Sequence, residues 1–219
     1  MELIDRWVAL AGPDTRRLGA ELIARYGEPH RRYHTRAHLT AVLDLVDELF
    51  AYAPDADADA DVDVDADADA DAVRLAAWFH DAVYDPQRSD NEERSARLAE
   101  RMLANTDLDP ARIGEVARLV RLTETHDPTP DDHNGAVLCD ADLAVLAGEP
   151  SAYAAYASDV REEYGFVSDD AFAHGRAQVL RTLHARPALF RTPAGHDRFE
   201  SRARHNIETE LALLDGGAG

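Results

Sequence analysis

The chain has 219 residues and carries 43 acidic against 23 basic side chains, a formal net charge of −20. That field repels a nucleic-acid polymer or an anionic membrane surface, and no basic stripe offsets it. The length suits one domain, 1–219, with a sizeable core, no apolar run is long enough to span a bilayer, and the single cysteine, Cys139, excludes an intrachain disulfide and a multi-cysteine zinc site.

Helical periodicity dominates in chain order. Leu18, Leu22, Ile23 and Tyr26 share one face, with Gly27 as a stop. Leu39, Val42, Leu43, Val46, Leu49 and Phe50 form a second stripe. Residues 54–72 then alternate Asp with Ala or Val, with nine aspartates between Asp55 and Asp71. This tract lacks the central glycine and terminal glutamate of a helix-loop-helix calcium site, and it offers little to bury. It is expected to be a solvated low-complexity insertion joining two helices. Leu75, Trp78 and Phe79 lead a third helix into His80. Ser89 and Glu92 have the spacing of a capping box that opens a helix through Leu98 and Leu103. Asp109-Pro110 opens another, carried by Ile113, Val116, Leu119 and Val120. Later helices are expected over residues 136–146, 152–164, 170–184 and 196–214, with 150–214 packing on the core. No hairpin signal or convincing alternating strand is present, so the predicted class is all-α. The first residues show no basic region leading into an apolar stretch, and a cytoplasmic protein is expected.

The chemistry-bearing residues come in one order: His34 and His38, then His80-Asp81, then Asp140 and Asp142. Imidazole nitrogen and carboxylate oxygen hold divalent transition metals while leaving positions open to water. A helix beginning near Tyr33 would put His34 and His38 on one face. His80 and Asp81 diverge by about 100° on a helix, so both reach one ion only near a helix end. Asp140 and Asp142 point about 200° apart, so one ion takes one of them, and the other orients a ligand or caps a helix.

The ordered set resembles the HD superfamily of metal-dependent phosphohydrolases. Tyr33-His34-Thr35-Arg36-Ala37-His38 is similar to the first motif of cyclic-nucleotide phosphodiesterases, which share the same helical core. Trp78-Phe79-His80-Asp81-Ala82-Val83-Tyr84, Asp90-Asn91-Glu92-Glu93-Arg94-Ser95-Ala96, Cys139-Asp140-Ala141-Asp142-Leu143 and Arg161-Glu162-Glu163-Tyr164 look like a bacterial group of predicted HD phosphohydrolases. The likeness runs from about residue 33 to 206. It implies an HD-domain, phosphodiesterase-like helical bundle. It assigns His38, His80, Asp81 and a later aspartate as metal ligands, with Asp142 favoured and Asp140 second. Catalysis would fall to His34 as general acid, beside Asp81. His126 would be a second-metal ligand or a phosphate donor. Glu92 either completes the capping box or serves water or a second ion. Arg161 and Arg176 are candidates for forked contacts to phosphate. The expected cofactor is one or two divalent ions, with Mn, Mg, Zn, Fe and Co all compatible. The expected partner is a small phosphorylated molecule, foremost a nucleotide, hydrolysed by metal-activated water. Alternatives are a di-iron oxygenase of the same fold and a non-catalytic metal or nucleotide sensor.

Overall fold

The computed structural model describes residues 1–51 and 64–216, and among them every regular element is helical. The all-α expectation holds: the chain is an all-α helical bundle. Ten α-helices follow in order: α1 (Leu3–Ala11), α2 (Arg16–Arg25), α3 (Arg36–Ala51), α4 (Val64–Phe79), α5 (Asn91–Leu103), α6 (Pro110–Leu122), α7 (His133–Leu143), α8 (Pro150–Glu163), α9 (Asp169–His184) and α10 (Pro193–Gly216). No described helix is long and apolar enough to cross a membrane.

The end of α4 is apolar on all sides, and it is central for that reason. Val73, Leu75, Ala76, Ala77, Trp78 and Phe79 are all buried there, against α1, α3, α6 and α7. The first helix, α1, carries no motif and adds to the helices expected from the periodicity. Its Trp7 meets Trp78 edge-on with ring centroids 5.3 Å apart, and its indole N–H is satisfied by Thr15. Gly19 makes this possible, because a Cβ there would lie 2.3 Å from Trp7 Cδ1. A second apolar cluster joins Leu146, Tyr153, Leu180, Leu189, Phe190, Ala203 and Ile207, and it ties α8, α9 and α10 to the turn after α7.

Two local expectations are corrected. Residues 64–72 of the expected insertion form the first turns of α4 instead of a separate segment between two helices. Alanine is the best helix former, Ala70 and Ala72 are buried, and Asp71 pairs with Arg74 one turn on. The remainder of the expected insertion, 54–63, lies outside the described residues. The Ser89–Glu92 capping box does not form. Helix α5 starts at Asn91 with Asp90 at the cap position, and no side chain caps it. The Asp90 carboxylate is taken by Arg88 at 2.6 and 2.7 Å, and Asn91 pairs with the Asp85 backbone. Glu92 is thereby left facing a cavity.

Candidate metal centre

Three helices deliver the cluster. His38 sits in the first turn of α3, His80 and Asp81 follow the last residue of α4, and Asp142 is in the last turn of α7. The break after Phe79 solves the divergence of neighbouring side chains, because Asp81 has already left the helix. His38 Nε2 lies 3.0 Å from His80 Nε2, 3.3 Å from Asp81 Oδ2 and 3.2 Å from Asp142 Oδ1. His80 Nε2 lies 3.0 Å from Asp81 Oδ2 and 3.6 Å from Asp142 Oδ1. The ligand atoms of His38, His80 and Asp142 fall within 4.8 Å of one another.

This donor set fits a divalent ion. Bonds of roughly 2.0–2.2 Å place neighbouring ligand atoms about 3.0–3.6 Å apart around one centre. The two imidazole nitrogens face each other in a buried site, at a distance that a shared proton or an ion between them can bridge. His80 Nδ1 donates to the Ala77 carbonyl at 2.9 Å, which directs Nε2 into the cluster. Burial opposes charge on all four side chains. On the imidazoles the nearby carboxylates outweigh it, so His38 and His80 hold a proton more tightly than free histidine. On Asp81 and Asp142 the imidazoles outweigh it and hold both carboxyls well below the usual range. The four groups are therefore built around positive charge, whether protons or an ion supply it.

Asp140 is elsewhere, which corrects its candidacy as a ligand. Its carboxylate is fully buried and accepts from the N–H of Arg191 at 2.8 Å and from the N–H and hydroxyl of Thr192 at 2.8 and 2.7 Å. It thus serves the start of α10, and the opposed directions of residues two apart on α7 send only Asp142 to the cluster.

His34 precedes α3 instead of opening it, so the pair His34–His38 does not share a helical face. The ring still reaches the site, with its centroid 5.8 Å from that of His38, and it is positioned by Glu163. One carboxylate oxygen of Glu163 accepts from the backbone N–H groups of Arg32, Tyr33 and His34 at 2.7, 2.9 and 3.1 Å. The other meets His34 Nδ1 and accepts from the Tyr84 hydroxyl, both at 2.7 Å. Burial opposes ionisation of Glu163, but these donors outweigh it and bring its pKa down to about 2. Glu163 was visible in the sequence only as part of a motif without a role. Arg31 carried no signal. It is buried and donates to the carbonyls of both His34 and Asp81, at 3.1 and 2.8 Å, so it ties two parts of the site together.

His126 follows α6 in a turn with φ of 49°, a region where histidine is tolerated more often than most residues. Its Nε2 lies 2.8 Å from Asp142 Oδ2, so Asp142 faces His38 with one oxygen and His126 with the other. Glu92 lines the same cavity as His34, Asp81, His126 and Asp142, a space of about 760 Å³. Burial, with Asp81 and Glu124 close by, raises its carboxyl above the usual range.

The two arginines expected to fork onto phosphate are already engaged. Arg161 does not line this cavity: it pairs with Asp169, donates to the carbonyls of Tyr164 and Val167, and lies 4.9 Å over the Phe172 ring. Arg176 does line it, but its guanidinium is held by both oxygens of Glu210 and by the Tyr156 hydroxyl. Arg161 is taken by residues just downstream, at the end of α8 and the start of α9, and Arg176 by Glu210 of α10 and Tyr156 of α8.

Comparison with protein-family models, with curated proteins and with solved structures returned no match.

Proposed function

We propose that this chain is a metal-dependent phosphohydrolase of the HD type. The observation that carries the reading is the convergence of His38, His80 and Asp142, whose ligand atoms lie within 4.8 Å of one another, with Asp81 3.3 and 3.0 Å from the two imidazoles, beside a cavity lined by a fixed histidine, His34. When bound, a divalent ion supplies Lewis acidity toward a phosphoryl oxygen and lowers the pKa of water. The chain's own contribution is positional. Glu163 takes Nδ1 of His34, which leaves Nε2 as the nitrogen for the cavity. From there His34 passes a proton to the departing oxygen of the ester, and Glu163 stabilises the imidazolium before that transfer. Tyr84, against the His34 ring at 4.1 Å between centroids, and Tyr33, at 4.8 Å, keep the ring from turning. The substrate class is a small phosphoester, a nucleotide foremost, and nucleic-acid polymers are disfavoured by the charge of the chain.

The test is metal analysis of the purified protein coupled to a phosphate-release screen over nucleotides and sugar phosphates. His80→Ala or Asp81→Ala should abolish release while helical content is retained. Full turnover in either variant refutes the reading.

A second reading keeps the ligands and changes the chemistry. Asp142 presents one oxygen to His38 and the other to His126, so His126 and Asp142 would hold a second ion beside the first, as a di-iron oxygenase requires. Two irons per chain with a mixed-valence spectrum would select it.

A further inference from the structure

Asp81 is the one side chain of the metal centre that no helix places. His38 is in the first turn of α3 and Asp142 in the last turn of α7. His80 lies just past α4, but its N–H still donates to the Ala76 carbonyl at 2.9 Å, so it continues the helical ladder. Asp81 leaves that ladder. Its N–H donates to the Tyr26 hydroxyl at 3.3 Å, and this hydroxyl donates to the Trp78 carbonyl at 3.2 Å. Its carbonyl accepts from Arg31 Nη1 at 2.8 Å, and the same nitrogen donates to the His34 carbonyl at 3.1 Å. Both polar groups of the Asp81 backbone are therefore held by side chains 55 and 50 residues earlier in the chain. The holding pair is itself fixed. Tyr26 is buried, and the Arg31 guanidinium lies 5.2 Å from its ring centroid and 5.4 Å from that of Tyr84. Arg31 Nε and Nη2 both donate to Glu28 Oε2 at 3.2 Å. The Arg31 side chain has no solvent exposure. A buried cation is costly to desolvate, and an apolar residue of similar volume is often as stable in its place. Core stability alone thus does not account for a guanidinium here. What a guanidinium does uniquely is grip a carboxylate and two carbonyls at once from one rigid plane.

We propose that Arg31, together with Tyr26, is a positioning residue of the metal centre: it turns Asp81 out of the helical path and holds its carboxylate at the ion. The inference rests on the metal centre of the reading above and not on its reaction. Neither Arg31 nor Tyr26 lines the cavity beside the cluster, so they act through Asp81. The other three side chains do not depend on them in this way. The ligand atoms of His38, His80 and Asp142 stand within 4.8 Å of one another on helical backbone, and they should retain an ion when Asp81 is lost.

The experiment is a Co²⁺ titration of the metal-free protein, followed by visible absorption, for the native chain, Arg31→Lys, Asp81→Ala and the double variant. Lysine keeps the buried charge but lacks the planar fork. Arg31→Lys should weaken Co²⁺ binding about 10–100-fold, the cost of losing a partner that orients a ligand. Its Co²⁺ spectrum should move from the native one to that of Asp81→Ala. Added to Asp81→Ala, it should cost less than about twofold, because the group it positions is already gone. A general loosening of the fold would instead lower affinity in both backgrounds. Where circular dichroism shows that Arg31→Lys has lost helix, Tyr26→Phe carries the same cycle, since it keeps the buried ring and removes only the hydroxyl. Native affinity in a folded variant, or an equal cost with and without Asp81, overturns the inference and leaves the metal centre standing. No Co²⁺ binding by the native chain overturns both. The expected cycle without phosphate release from any compound of the screen supports the inference and overturns the phosphohydrolase reading alone.

Discussion

Asp140 and Asp142 lie two residues apart on one helix, and the same change at each should produce opposite phenotypes. In Asp142→Asn the oxygens facing His38 at 3.2 Å and His126 at 2.8 Å lose their charge. An ion at one hundred times its Kd stabilises a protein by about 2.7 kcal/mol. A chain of this length shifts by about 2–4 °C per kcal/mol, so the native protein should gain about 5–11 °C. Altering a partner of a metal ligand costs about 10–100-fold in affinity, and loss of a direct ligand belongs at or beyond the upper end. A hundredfold loss leaves about 0.4 kcal/mol at the same ion concentration, a shift below about 2 °C. Asp140→Asn does the reverse. It places an amide NH₂ against the donors of Arg191 and Thr192, at a cost of about 2 kcal/mol and a melting point about 4–8 °C lower, with the ion-induced gain intact. Thermal unfolding followed by circular dichroism, with Mn²⁺ or Zn²⁺ and with a chelator, reads both quantities. An undiminished ion-induced shift in Asp142→Asn, or its loss in Asp140→Asn, refutes the assignment of Asp142 as the ligand.

Glu163→Gln should lower kcat about 10–100-fold and flatten the dependence of rate on protonation of His34, since Gln cannot accept from all five donors; an unchanged pH–rate profile would count against the positioning role. The Glu163 carboxyl has a folded pKa of about 2 against an ordinary value near 4.5, so its contribution to stability is complete above about pH 4.5 and is lost as the pH falls from there toward 2. Acid titrations of native protein and Glu163→Gln should therefore converge in that window, and parallel curves down to pH 2 would contradict it. Gly195→Ala puts a Cβ 2.3 Å from Asp140 Oδ2 and 2.8 Å from Thr192 Oγ1, and it should destabilise the start of α10 by about 1–3 kcal/mol, read as a lower urea midpoint. Because His38 and His80 hold protons tightly when no ion is bound, apparent metal affinity should rise with pH from 6 to 8, with proton release measurable by calorimetry in buffers of different ionisation enthalpy.

Local periodicity was enough to establish the class of this fold and the helices that carry the site, because a stripe of apolar side chains at helical spacing must be buried whatever it packs against. The ordered set His38, His80-Asp81 and Asp140 or Asp142, through its resemblance to the HD phosphohydrolases, likewise pointed to a candidate metal site before any packing was known. Packing decided the rest. Asp140 and Asp142 differ in nothing local, and only the arrival of α10 beside one and of His38 beside the other separates them. Glu163 acquires its place from a loop about 130 residues earlier in the chain, as the separations of its hydrogen bonds show. Arg161 and Arg176 had the chemistry to bind phosphate, and carboxylates and rings from α8, α9 and α10 claimed them instead. A charged side chain commits to whatever partner the folded chain places within reach, and that distance is set by helix packing, which no short stretch of sequence contains.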